Sequence, residues 1–152
     1  MKRFLPVLLL ICILAGLSPA HAQRVCPDPS TPSAPCTPIT ASTTGTTGAI
    51  TATLAAAAGK TTYICGFYYT GTNATSANTA TTLTITGTIG GTLNFGFPTL
   101  AAAATVPNNL PLDEEFIPCI AASGVNTAIA VNGPALGAGA TLATVTAWGY
   151  QL

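Results

Sequence analysis

Residues 82–97 read TLTITGTIGGTLNFGF, and this stretch decides the fold class. In both halves apolar residues alternate with Thr, Asn or Gly, the apolar positions being Leu83, Ile85, Leu93, Phe95 and Phe97. Alternation with a period of two is typical of a β-strand that buries one face. Threonine at the outward positions favours strand geometry and adds no charge. The stretch therefore predicts two half-buried strands.

Similar short runs lie on both sides of this stretch, separated by Gly, Asn and Pro. They span residues 50–54, 61–69, 115–121, 127–131 and 141–150. Seven strand candidates with turns at this spacing predict an all-β fold, an antiparallel β-sandwich over residues 48–152. The preceding residues 23–47 are rich in Pro, Ser and Thr and show no hydrophobic periodicity, so they predict an extended N-terminal arm.

The first 22 residues have the organisation of a secretory signal peptide. Lys2 and Arg3 precede an apolar run at residues 4–17, and small residues flank His21 before Gln23. This pattern predicts cleavage before Gln23. The alternative is a retained membrane anchor, but a run of about 14 residues is shorter than the roughly 20 that span a bilayer. We therefore expect a protein that is secreted, periplasmic or on the cell surface, with no membrane attachment after cleavage.

Charge and histidine content exclude several classes of function. Only 5% of the residues are charged, and four Lys/Arg balance four Asp/Glu. A nucleic-acid or membrane-surface binder needs clustered basic residues, so neither is expected as a partner. The single histidine, His21, leaves with the signal peptide, which removes Ser-His-Asp and Cys-His catalysis and histidine-ligated zinc. We expect neither an enzyme nor a cofactor.

Three consecutive carboxylates, Asp113, Glu114 and Glu115, are the main acidic feature. On an extended segment Asp113 and Glu115 share a face and Glu114 lies opposite, so they do not form the facing pair of a glycosidase. Calcium takes about six to eight oxygen ligands, and no spaced series of Asp or Asn surrounds the triplet. The triplet therefore predicts a solvated loop, and we expect neither a catalytic nor a metal site.

Four cysteines follow the signal peptide: Cys26, Cys36, Cys65 and Cys119. An even number in an exported domain predicts two disulfides, for which three pairings exist. We prefer Cys26–Cys36, which closes a proline-rich segment, together with Cys65–Cys119, which joins two strand candidates across the sandwich. A zinc site made of four thiolates is the competing interpretation, but the spacing lacks a C-x2-C pair.

Aromatic residues concentrate in the run at 63–69 and at Trp148. Residues of both parities occur in the run, so at least some side chains face the core. The remainder are candidates for a ligand platform that stacks against carbohydrate rings. The residues singled out for this role are Tyr68, Tyr69 and Trp148.

The order of several motifs resembles that of a known group of proteins. These motifs are Gly59-Lys60, Tyr68-Tyr69-Thr70, Thr81–Thr88, Leu93–Phe97, Pro111-Leu112, Ala128–Val131 and Val145–Tyr150. From about Ala58 to Leu152 the chain resembles small jelly-roll proteins of phage and prophage structural regions and exported bacterial proteins of unassigned activity. The resemblance implies an eight-stranded, jelly-roll-like sandwich with a structural, decoration or surface-binding role, often in an oligomer. A signal peptide and four mature cysteines distinguish this chain from an intracellular virion component.

The function expected from these features is that of an exported structural or surface-interaction protein without catalytic activity. Low charge and outward threonines leave little repulsion between copies, which favours self-association or decoration of a surface. The partner would be a second copy, another protein or a glycan. The alternative function is a carbohydrate-binding module that uses surface aromatic residues.

Overall fold

The computed structural model describes residues 36–71, 79–99, 111–137 and 142–152. These residues form eight β-strands, in agreement with the predicted all-β class. The strands are β1 (Thr37–Gly45), β2 (Ile50–Leu54), β3 (Thr62–Gly71), β4 (Thr79–Thr88), β5 (Gly91–Thr99), β6 (Leu112–Ala121), β7 (Ile129–Gly133) and β8 (Ala143–Gln151). No helix occurs in these four ranges.

The strands form two four-stranded antiparallel sheets. Sheet I has the order β1-β8-β3-β6 and sheet II the order β2-β7-β4-β5. The first strand therefore pairs with the eighth, the second with the seventh, the third with the sixth and the fourth with the fifth. Such nested pairing is the topology of an eight-stranded jelly roll. The predicted jelly-roll-like sandwich is confirmed.

Strand β1 is the main difference from the sequence-based prediction, which assigned residues 23–47 to the arm. Residues 37–45 instead form the edge strand of sheet I, paired along their whole length with β8. Ile39 is the only large apolar side chain on the inner face of β1, and Ala41 and Thr43 follow it there. The strand buries little apolar surface, and its alternation is correspondingly faint in the sequence. The rest of the predicted arm before Cys36 lies outside the described residues.

The core lies between the inner faces of the two sheets, where the apolar members of the alternating runs meet. Phe67 of sheet I contacts Phe95 of sheet II edge-on, with ring centroids 5.1 Å apart. Tyr69 and Phe97 form a second such pair between the sheets at 5.3 Å. Edge-to-face contact is a favoured aromatic geometry and adds to the stabilisation from burial. Aliphatic side chains that are fully buried fill the space around these rings: Leu54, Ile64, Leu83, Ile85, Ile129, Val131 and Val145.

A buried polar contact joins the two sheets at one end of the sandwich. Thr62 and Gln151 face each other on the inner face of sheet I, and both lie within hydrogen-bonding reach of the carbonyl of Ala55, just after β2. The Gln151 amide donates to that carbonyl at 2.6 Å. Because a buried amide is costly without a partner, this bond explains how Gln151 is tolerated there.

The Cys65–Cys119 disulfide joins β3 to β6 and confirms the predicted pairing. The sequence suggested a bond across the sandwich. Strands β3 and β6 are instead neighbours in sheet I, so the bond lies within one sheet. Gly66 pairs with Glu115 and Ile64 with Ile120, so residues 116–119 form a bulge opposite Cys65 alone. The disulfide ties this bulge to β3. Cys36 is also disulfide-bonded; its predicted partner, Cys26, lies outside the described residues.

Replacing Cys65 and Cys119 with Ala should destabilise the protein by about 4 kcal/mol, because the bond closes a loop with a sequence separation of 54. Thermal unfolding would measure the loss. The double variant of Cys26 and Cys36 is the control, since their predicted bond would close a much shorter loop and should contribute less. Equal losses in the two variants would contradict the prediction.

Candidate binding surfaces

The outer face of sheet I carries an aromatic surface made of Tyr63, Tyr68, Trp148 and Tyr150. Strand β3 has a bulge at Cys65, which has no partner on β8 between the pairs formed by Ile64 and Gly66. Because of this bulge Tyr63 and Tyr68, at an odd and an even position, lie on the same face of the sheet. The inward-facing residues on the other side include Ile64, Phe67 and Val145. Tyr63 and Tyr150 are cross-strand partners, and their rings stack with centroids 4.7 Å apart and an interplanar angle of 15°. Tyr150 is buried although it lies outside the core cluster. Tyr63, Tyr68 and Trp148 remain half-buried and form the accessible part of this aromatic face.

Trp148 is positioned by a glycine on the adjacent strand. It pairs with Gly66 of β3 on one side and with Thr40 of β1 on the other. A Cβ atom added at Gly66 would collide with the indole ring of Trp148 and with the carbonyl of Glu114. The indole therefore occupies the space that a side chain at residue 66 would take. This arrangement holds the ring against the sheet within the aromatic face.

Tyr69 belongs to the core and not to the candidate platform, which corrects the sequence-based assignment. Its side chain is 1% exposed because it alternates with Tyr68 and points between the sheets. Gly71 and Gly133 make room for the ring, since a Cβ at Gly133 would come within 2.6 Å of Tyr69 Cε2. The Tyr69 hydroxyl is buried and has no hydrogen-bond partner among the residues that the structure describes. Desolvation by burial raises the pKa of Tyr69 to about 12.

The acidic triplet lies in β6 and not in the loop that the sequence predicted. Asp113 and Glu115 are exposed on the outer face, where they pair with Tyr68 and Gly66 of β3. Glu114 lies opposite Phe67 on the inner face and is half-buried. Two carboxylates therefore flank the aromatic face, and the third points away from it. Among the described residues, no group of three or more His, Cys, Asp or Glu side chains is arranged to hold a metal ion.

The outer face of sheet II carries a contrasting surface, the threonine face. Its outward residues include Thr51, Thr53, Thr82, Thr84, Thr86, Thr92, Asn94 and Asn132. Asn132 is at its centre: its Oδ1 accepts from the Thr51 hydroxyl at 3.0 Å, and its Nδ2 is 3.4 Å from the Thr86 hydroxyl. The four strands of sheet II contain no charged residue. The threonine face is therefore neutral, consists of small polar side chains, and has hydrogen bonds between those side chains.

The structure brings together only some of the residues that the sequence singled out. Tyr68 and Trp148 share the aromatic face, and Cys65 and Cys119 are bonded, whereas Tyr69 is separated from the other two platform candidates. The sequence analysis missed Tyr150, which stacks on Tyr63, and Gly66, which accommodates the indole. The signal for Gly66 was present in the sequence, because a glycine inside an aromatic strand often marks a close approach.

Comparison with known proteins finds no matching family model, no matching curated protein and no matching solved structure. The Cys65–Cys119 bond is typical of a protein in an oxidising compartment outside the cytoplasm. Within the part of the chain that the structure describes, no helix is long and apolar enough to cross a bilayer.

Replacing Tyr69 with Phe should stabilise the protein by about 1 kcal/mol, because it removes a buried hydroxyl without a partner. Denaturant unfolding would measure the gain. Tyr68→Phe on the outer face is the control and should change stability by less than about 0.5 kcal/mol. A loss of stability in Tyr69→Phe would show that the hydroxyl has a stabilising partner in solution.

The raised pKa of Tyr69 also predicts a pH dependence. The unfolded chain loses this proton near pH 10, whereas the folded protein keeps it until about pH 12. Because the folded state binds more protons in this interval, its stability falls as the pH rises from about 10 to 12. The free energy of unfolding, measured from about pH 10 to 12, should fall more steeply in the wild type than in Tyr69→Phe. Identical slopes would contradict the assignment.

Proposed function

We propose that this is an exported, non-catalytic structural protein that self-associates or decorates a surface. The observation that carries the proposal is the neutral threonine face of sheet II, which lacks a charged residue on any strand. Two copies approaching through this sheet meet no repulsion between like charges, and low charge promotes association. The signal-peptide pattern and the disulfide chemistry support export.

The placement of the carboxylates supports the non-catalytic part of the proposal. Asp113 and Glu115 lie on one face of an edge strand, and Glu114 lies on the other. General acid–base chemistry on a glycosidic bond requires two carboxyl groups that face each other across the substrate. A mature chain that begins at Gln23 also has no histidine to activate a nucleophile.

Native mass spectrometry of the mature protein over a concentration series tests self-association. We expect oligomers whose population changes little with salt, because screening weakens charged contacts and not neutral ones. Asn94→Lys places a charge on the exposed outer side of sheet II and should reduce the oligomers. Thr40→Lys, an exposed residue on sheet I, is the matched control and should leave them unchanged.

The triple variant D113N/E114Q/E115Q tests the non-catalytic part. It should retain the fold, by circular dichroism, and the oligomer distribution of the wild type. A panel of hydrolase substrates should show no turnover with either protein. Turnover by the wild type that disappears in the triple variant would refute the proposal. A wild type that stays monomeric and binds no surface would refute it as well.

The aromatic face favours a second candidate function, the binding of a carbohydrate. Trp148 and Tyr68 are half-buried on one face, and the exposed carboxylates of Asp113 and Glu115 lie beside them on β6. Aromatic rings stack on apolar ligand surfaces, and carboxylates accept hydrogen bonds from hydroxyl groups.

A glycan array with the mature protein tests this second function. Binding that is lost in Trp148→Ala and in Tyr68→Ala would support it, provided that both variants keep the wild-type circular dichroism spectrum. Thr44→Ala, on the exposed outer side of β1, is the control and should bind as the wild type does. An array without reproducible binding would reject the carbohydrate-binding function.

A further inference from the structure

Among the described residues, strand β5 is an edge of sheet II. It pairs with β4 on one side and is the last strand of the sheet on the other. Its outward residues Thr92, Asn94, Gly96 and Pro98 are exposed. An edge strand presents a row of unpaired N–H and C=O groups, and proteins usually protect such an edge with charges, prolines, bulges or short length. Pro98 removes one donor near the end of β5, whereas residues 93–97 contain no charged residue and no proline.

The position of Pro98 shows which backbone groups of β5 point to the free edge. Pro98 pairs with Ala80, and without an N–H it cannot exchange two hydrogen bonds with that residue. The Pro98–Ala80 pair is therefore of the non-hydrogen-bonded kind. Hydrogen-bonded and non-hydrogen-bonded residue pairs alternate along an antiparallel ladder, and the register is unbroken from Thr79 to Ile85. The pairs of Gly96 and Asn94 with β4 are therefore also of the non-hydrogen-bonded kind. It follows that Asn94 and Gly96 direct both N–H and C=O to the free edge.

The other three edge strands of the described sheets are less suited to pairing than β5, each for a different reason. The edge strand β6 carries three carboxylates and the bulge at residues 116–119, which includes Pro118. Strand β2 has only five residues, and the Thr43 hydroxyl donates to its Thr51 carbonyl at 2.8 Å. Strand β1 is as long and as neutral as β5, but it has one large apolar residue on its inner face, Ile39, so pairing along it would bury less apolar area. Among the four edge strands that the structure describes, only β5 combines length, neutrality and several large apolar side chains.

The inner face of β5 supplies a hydrophobic gain for pairing. Leu93, Phe95 and Phe97 pack against the core but remain half-buried, since no strand covers them on the free side in the described residues. A strand added at this edge would extend the inner face of the sheet beside them. Burial of apolar area stabilises association, and the backbone bonds fix the register.

We propose that two copies of this chain form a dimer through antiparallel pairing of β5 with β5, which joins the two copies of sheet II into one continuous sheet. The occupant is a second copy because the strand is uncharged and an antiparallel pair satisfies two-fold symmetry. Asn94 of each copy pairs with Gly96 of the other, and the two Phe95 side chains meet at the axis. This proposal deepens the proposed function and rests on its self-association.

Gly96→Pro removes the central N–H donor from the free edge and tests the pairing. Gly96 has no positive φ, an added Cβ would meet no atom within 4 Å, and its N–H makes no bond to β4, so the change removes no backbone bond from the folded monomer. Gly96→Ala is the matched control, since it adds a Cβ and keeps the N–H. Native mass spectrometry and sedimentation should show dimers for the wild type and Gly96→Ala. Gly96→Pro should dimerise at least about tenfold more weakly, with an unchanged melting temperature.

Cysteine cross-linking tests the register without depending on the proline variant. Asn94→Cys and Gly96→Cys chains, mixed and oxidised, should form a disulfide-linked heterodimer, because paired residues have Cα atoms about 5.5 Å apart. Each variant alone should cross-link poorly, because its two cysteines are offset along the strands beyond the roughly 7 Å limit for a disulfide.

The outcomes separate this proposal from the proposed function. Oligomers that weaken in Asn94→Lys and survive in Gly96→Pro would overturn the edge pairing and leave association through the threonine face. Ser42→Pro places a proline in the other long, neutral edge strand, β1. Dimers that are lost in Ser42→Pro and persist in Gly96→Pro would overturn the proposal by assigning the interface to β1. A wild type that is monomeric at all concentrations but coats a surface would overturn the dimer and leave the decoration role.

Discussion

The backbone pairing of β8 between β1 and β3 is the interaction on which the rest of the structure depends. Strands β1 and β3 have no ladder with each other, so sheet I exists only because β8 bonds to both. The same strand supplies Val145 and Ala147 to the core and Trp148 to the aromatic face. One strand therefore contributes to both surfaces of the sheet.

The two outer faces differ because the two sheets use their outward positions differently. Sheet I places aromatic rings on its central strands and carboxylates on its edge. Sheet II places threonine and asparagine there, and these side chains hydrogen-bond to one another across strands. A threonine that bonds to a neighbouring side chain keeps its hydroxyl satisfied, so the face stays neutral without exposing large apolar groups. The asymmetry gives one molecule two chemically distinct sides.

The sequence predicted the fold class and seven of the eight strands, because their inward residues are large and alternate clearly. It missed β1, whose inward residues after Ile39 are small, so burial leaves almost no pattern there. The Cys65–Cys119 pairing was predictable, but its location within one sheet was not, since neighbourhood in a sheet depends on strand order. Tyr68 and Tyr69 could not be told apart by composition. Alternation gives them opposite directions, but which of the two faces the core is known only from the register of β3 on β8, where Tyr69 pairs with the buried Val145.

The central position of β8 also determines when the protein can fold. In a chain synthesised from its N-terminus, residues 143–151 become available after the other seven described strands. Until then β1 and β3 have no strand between them, and the core lacks one wall. Contacts between residues distant in sequence slow folding. The nested topology therefore leaves sheet I incomplete until the last of the described strands is present.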